Sequence, residues 1–251
     1  MHIGRPWAPV EAFDLIVTTP QYALPRHPRI LHTEAPMHRI GTDALATAAA
    51  TWRPRLADLP APKIAVMLGG HVGPWTFDAA KGRELGRQAN ALAGAAGGSL
   101  LVSTSARTPP EVVDAFAAEI RVPHRLYRWR PDDPDNPYLG FLALADRIVV
   151  TSDSMSMLVE AIVTGKPVLI FDLTDPPATG WRRPSVRALT YHLGRALGPK
   201  QLLRDVTAIH AAQVAAGRAA WLGREPPAAT HPVPLADTQA AAARIRALFA
   251  P

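Results

Sequence analysis

The sequence predicts an α/β protein built around a doubly wound, mostly parallel sheet. Between residues 63 and 173 short apolar runs alternate with stretches of helical periodicity. The runs Ile148–Thr151 and Val168–Phe171 are joined by one short helix and a Gly165-Lys166-Pro167 stop, which makes them parallel neighbours. The turn after the first run carries Ser152, Asp153, Ser154 and Ser156. It falls where a strand's carboxyl end meets a helix N-terminus, the natural anion-binding point of such sheets.

Taken in order, the first segment holds one clear strand, Phe13–Thr19, and a second short extended piece, Arg29–Thr33. Helical spacing follows over 43–58 and weakens at Pro54, and DLPAP at 58–62 reads as a boundary. Beyond it the expected elements are the strand Ile64–Leu68, a helix over Thr76–Ala95 stopped by Gly97-Gly98, and the strand Leu100–Thr104. A helix begins at Pro109 and runs to Ile120, because proline suits a first helical turn. Next come the strand His124–Trp129, the turn cluster RPDDPDNP and the short helix Tyr138–Ala145. After the central strands a loop is expected over 174–184, helices over 186–197 and 201–223, and a Pro-rich connector over 225–234. The last element is the helix Thr238–Phe249, capped by Asp237. The domain reading is 1–58, 59–185 and a helical tail 186–251 packing back on the rest.

Composition narrows the function. The chain has no cysteine, so disulfides, thiolate metal sites and thiol nucleophiles are excluded. No apolar run reaches the roughly 18 residues of a membrane span, and the opening residues lack a signal peptide's pattern. The expectation is a soluble, cytoplasmic protein. Net charge is +6, mostly from arginine, but the charge is spread along the chain. With no RNA-binding aromatic pattern or zinc spacing, no nucleic acid is expected as a partner. A nucleotide diphosphate or an anionic membrane surface fits better. The histidines show no metal-ligand spacing, and Asp133-Pro134-Asp135 sits in a turn without an apolar strand directly before it, so no metal and no cofactor are expected.

Several residues combine the right chemistry with the right position. Ser152, Ser154 and Ser156 offer hydroxyls to a diphosphate, and Glu160, one to two turns further on, offers a carboxylate to a ribose. Structurally, Ser154 could instead cap the helix while Glu160 faces solvent. Ser105 and Arg107 follow the strand Leu100–Thr104, and an arginine fork there suits a phosphate. The alternative for that segment is a helix cap by Thr108. Gly69 and Gly70 end a strand and permit close backbone approach to a phosphate, or simply form a tight turn.

The segment 147–172 resembles the donor-nucleotide site of GT-B glycosyltransferases and the related nucleotide-sugar epimerases. The wider set MHIGRP (1–6), FDLIVTTPQY (13–22), APMHRI (35–40), MLGG (67–70), STSARTP (103–109), the block 136–168 and PLADTQAAAARIRAL (234–248) resembles the mitochondrial-fission "elongated mitochondria" family. The resemblance covers nearly the whole chain and implies a GT-B-like fold. It also implies an incomplete N-terminal lobe, because the family's members carry a further α/β stretch before the MHIGRP-like segment. Asn136 and Tyr138 match a family motif beside the nucleotide base. His38, in the APMHRI motif near the lobe junction, becomes the candidate base. The implied activity is metal-independent glycosyl transfer from a nucleotide-sugar, with a lipid-linked acceptor or a membrane-peripheral setting. A non-catalytic adaptor that recruits fission machinery, or an inactive remnant, is the competing expectation. The His71–Trp75 stretch departs from the family's Ser-Lys-rich loop and weakens a phosphate role there.

Overall fold

The computed structural model describes residues 1–71, 76–174, 205, 207–224 and 235–249. The expected loop over 174–184 past its first residue, the helix over 186–197 and the connector over 225–234 lie outside the described residues.

Among the described residues two parallel sheets form. The first joins β1 (His2–Ile3), β2 (Ile16–Thr18) and β3 (Ile30–His32) in that order, with Ile16 beside both His2 and Ile30. The strand expected over 13–19 shortens to Ile16–Thr18, and β1 was not foreseen. The second sheet has six strands in the order β6-β5-β4-β7-β8-β9. These are β4 (Lys63–Leu68), β5 (Ser99–Thr104), β6 (His124–Tyr127), β7 (Arg147–Thr151), β8 (Val168–Phe171) and β9 (Ala220–Trp221). Every pairing is parallel. Chain order reverses direction between β4 and β7, so this is the switch point at which doubly wound sheets hold ligands.

Among the described residues the α-helices are α1 (Thr42–Trp52), α2 (Ala79–Ala95), α3 (Pro110–Ala117), α4 (Tyr138–Leu144), α5 (Met155–Ile162), α6 (Thr207–Ala215) and α7 (Asp237–Ala247). Asp78 caps α2, its carboxylate accepting the Lys81 amide at 3.0 Å, so the helix begins three residues later than periodicity suggests. Strand side chains alternate between faces. Ala65, Met67, Ile148, Val150 and Ile170 pack toward α4, α5 and α6 on one side. Ile64, Val66, Val102, Val149 and Leu169 pack against α2 and α3 on the other.

The tail differs from expectation in two ways. The single helix expected over 201–223 ends at Ala215, Gly217 turns at φ +68°, and Ala220–Trp221 joins β8 as the sixth strand. Second, the Asp237 carboxylate does not cap its own helix. It accepts the amides of Glu34 and Ala35 at 3.0 Å each, pinning α7 to the first lobe. From there Ala241 and Ile245 pack on Leu15, Val17 and Leu31.

Candidate functional site

At the switch point β4 runs out at Leu68 into Gly69-Gly70, and β7 runs out at Thr151 into Ser152-Asp153-Ser154. The two turns are bonded to each other. The Gly69 amide donates to Thr151 Oγ1 at 2.8 Å and the Gly70 amide to Asp153 Oδ2 at 2.7 Å. Thr151 Oγ1 donates to Asp153 Oδ1 at 2.6 Å, and Arg107 reaches Asp153 Oδ2 at 3.1 Å. Asp153 is 3% exposed. Burial raises its carboxyl above the usual range, while Thr151, Gly70 and Arg107 pull it back. Glycine is required on steric grounds: a Cβ at Gly69 would sit 2.1 Å from the Asp153 carboxylate, and one at Gly70 would sit 2.5 Å from the Arg107 carbonyl.

Both glycine amides are therefore engaged within the protein. Ser152 is engaged too, its Oγ accepting the Leu173 amide at 3.0 Å inside the core. The structure gives these three a role in holding the bend. Asp153, which joins the two turns, is the site residue that the sequence reading misses. The available signal was a carboxylate between serines in a bend flanked by buried strands, a place where an acid must have partners.

The remaining candidates converge. A crevice of about 360 Å³ is lined by Ser105, Arg107, Asn136, Tyr138, Ser154, Ser156 and Glu160, together with Trp129. Ser154 caps α5, its Oγ accepting the Met157 amide at 3.4 Å. Ser105 Oγ accepts the Arg107 amide at 3.2 Å, which tightens the loop that carries the arginine. Asn136 Oδ1 accepts the Tyr138 amide at 3.0 Å, fixing the start of α4. Tyr138 then donates its hydroxyl to Glu160 Oε2 at 2.5 Å. Burial raises the Glu160 carboxyl, and the Tyr138 hydrogen bond and the nearby His38 oppose that rise. Burial and the adjacent Glu160 push the Tyr138 phenol upward, so it stays a donor.

His38 lies beyond Ser156, on a second cavity of about 420 Å³ between the lobes, whose wall includes Gly4, Thr19, Gln21 and Tyr22. Its Nδ1 is 3.1 Å from the Ile40 carbonyl. A carbonyl can only accept, so Nδ1 carries a proton, and in the neutral ring Nε2 is the acceptor. Asp133 receives the Tyr127 hydroxyl and Arg130, and Asp135 pairs with Arg55 at 2.8 Å. Among the described residues no cluster of histidine or carboxylate side chains has the arrangement of a metal site. No described helix is long and apolar enough to cross a membrane.

The family model for "Mitochondrial fission ELM1" matches residues 1–249. The mitochondrial fission protein ELM1 of Arabidopsis thaliana is 34% identical over 150 residues, 58% of this chain and 34% of that protein. The uncharacterized protein RP120 of Rickettsia prowazekii is 39% identical over 71 residues, 28% of this chain and 20% of that one. The matched stretches thus span about a third and a fifth of those relatives' lengths. Among solved structures, a glycosyltransferase of Rickettsia africae aligns with TM-score 0.35 and 12% identity, covering 83% of this chain and 62% of its own. MurG of Acinetobacter baumannii aligns with TM-score 0.39 and 14% identity, covering 93% and 67%.

Proposed function

The chain belongs to the mitochondrial fission ELM1 family, and on that premise we propose that its switch-point crevice binds a nucleotide-sugar and supports metal-independent glycosyl transfer. The observation that carries this reading is one crevice holding an arginine, four serines and a half-buried glutamate at the reversal of strand order. The Arg107 side chain is more than half exposed, and only one of its five N–H donors is given to Asp153, so donors remain for a diphosphate. Ser105 and Ser156 lie beside it, and the N-terminus of α5 adds the positive end of its dipole. Glu160 spends Oε2 on Tyr138, leaving Oε1 for a ribose hydroxyl. As the sugar–phosphate bond breaks, negative charge grows on the departing diphosphate, where Arg107 and the helix terminus stabilise it.

Calorimetric titration with UDP, GDP, ADP and CMP tests the proposal. One nucleotide should bind, and Arg107→Ala should weaken that binding without unfolding the chain. If none binds, the reading fails. A second reading, a non-catalytic adaptor, draws on the internal engagement of Gly69, Gly70 and Ser152, which closes the bend without any ligand. An adaptor would bind no nucleotide, and Arg107→Ala would leave its partner interactions intact.

A further inference from the structure

The cavity on the first-lobe side of Ser156 has chemistry of its own. Ser156 lines both this cavity and the nucleotide crevice, so the two spaces meet at one side chain. Among the described residues that wall it there is no carboxylate. Arg39 stands at its lip, exposed, with no hydrogen bond or ion pair to another described residue. A second guanidinium, that of Arg5, lies 5.6 Å from the ring centre of Tyr22, another wall residue. Thr19 lines the same space while only 7% exposed, and its Oγ1 has no hydrogen-bond partner. A buried hydroxyl left unpaired is uncommon, because desolvating it without a partner costs stability. Such a group calls for a missing partner. The neutral ring of His38 offers Nε2 as its acceptor nitrogen, and Glu160 lies near it.

We infer that this second cavity receives the acceptor of the transfer, and that the acceptor is an alcohol bearing a phosphate group. The inference rests on the proposed nucleotide-sugar reading for the acceptor role, but the pocket's preference for an anion stands on its own walls. Arg39 takes the phosphate as a charge-assisted fork. Thr19 Oγ1 supplies a hydrogen bond to the body of the ligand. The acceptor hydroxyl approaches His38, whose Nε2 removes its proton as the acceptor oxygen bonds to the anomeric carbon. The bond from that carbon to the nucleotide diphosphate breaks, and its electron pair leaves on the phosphate oxygen. The imidazolium so formed is stabilised by the Glu160 carboxylate.

The same phosphate chemistry is carried by a soluble metabolite or by a lipid headgroup, and two probes separate them. The full chain is titrated with glycerol 3-phosphate, with glycerol as control, and is sedimented with phosphatidylglycerol vesicles against phosphatidylcholine vesicles. Expected results are binding of glycerol 3-phosphate or of the anionic vesicles but not of their neutral controls, persistence of that binding at saturating nucleotide, and a loss of about tenfold or more in Arg39→Gln. Thr19→Val, nearly the same shape, should weaken the probe while the melting temperature stays the same or rises. Binding confined to vesicles identifies a lipid source, and binding confined to the metabolite a soluble one. The inference is overturned if neither probe binds, if nucleotide displaces the probe competitively, or if Arg39→Gln binds as the parent does. Should probe binding survive while no nucleotide binds, the nucleotide reading and the acceptor role fall and the anion pocket remains.

Discussion

Gly69→Ala is the sharpest probe of the switch point. The added methyl would lie 2.1 Å from both Asp153 carboxylate oxygens, far inside contact distance. The carboxylate cannot slide aside cheaply, because it holds the Gly70 amide at 2.7 Å and the Thr151 hydroxyl at 2.6 Å. Displacing it leaves two buried donors short of an acceptor, each worth about 1–3 kcal/mol, for a total of roughly 2–6 kcal/mol. In a chain of this size a loss near 3 kcal/mol lowers Tm by about 6–12 °C. Gly69 does not occupy the left-handed region, so alanine is tolerated by the backbone itself. Urea denaturation of Gly69→Ala, Asp153→Ala and the double variant completes the test. Once the carboxylate is gone the methyl has room, so the second substitution should cost less than about 0.5 kcal/mol and the pair should be strongly non-additive. If Gly69→Ala destabilises equally in both backgrounds, or not at all, the steric argument is wrong.

Other residues give separate tests. Glu160→Gln should weaken nucleotide binding by about 1.5–3 kcal/mol, or 10- to 150-fold, measured by calorimetry. Because burial raises the Glu160 carboxyl and the ionised form is the acceptor, affinity should fall as pH drops through a range above that of an ordinary glutamate, and Glu160→Gln should show no such fall. His210 is 2% exposed, and burial lowers its imidazole to about 4. The unfolded chain therefore takes up a proton below the ordinary value near 6.5 that the folded chain refuses, and stability should decline from pH 6.5 toward 4 by up to about 3 kcal/mol. His210→Phe should flatten that slope in urea midpoints measured at pH 7 and pH 5. Gly140→Ala would place a methyl 2.4 Å from the Trp52 ring where α4 crosses α1, costing about 1–3 kcal/mol in the same assay.

The legible part of the fold was the part set by local pattern. The β7–α5–β8 unit could be read from two buried runs, a serine cap at Ser154 and the Gly165 stop, each encoded within a few residues. The two-residue strands β1 and β9 could not, because nothing in His2–Ile3 or Ala220–Trp221 favours a strand without a neighbour already in place. The carboxylate of Asp237 has the same history. Its sequence context reads as a helix cap, yet its partners are amides 203 and 202 residues away. Position in the chain reported residue type and element, while the choice of partner was made by tertiary packing.

The same division runs through the site and explains its shape. Ser105, Arg107, Asn136, Tyr138 and Ser156, at helix starts and loop tips, face the crevice because the elements carrying them begin or end there, and Glu160 joins them from within α5. Gly69, Gly70 and Ser152, at the strand ends proper, lie one layer deeper, where every polar group needs a partner. Asp153 meets that need from the inside and carries its charge outward only through Arg107. The guanidinium is thus held by a buried acid on one side and open to solvent on the other. An anion arriving in the crevice meets a cation already oriented, without the cost of ordering a free arginine side chain. Asp153→Asn should therefore weaken nucleotide binding through Arg107, and combined with Arg107→Ala it should add little further loss in the same calorimetric titration. Full additivity of the two would show that the acid and the arginine act independently.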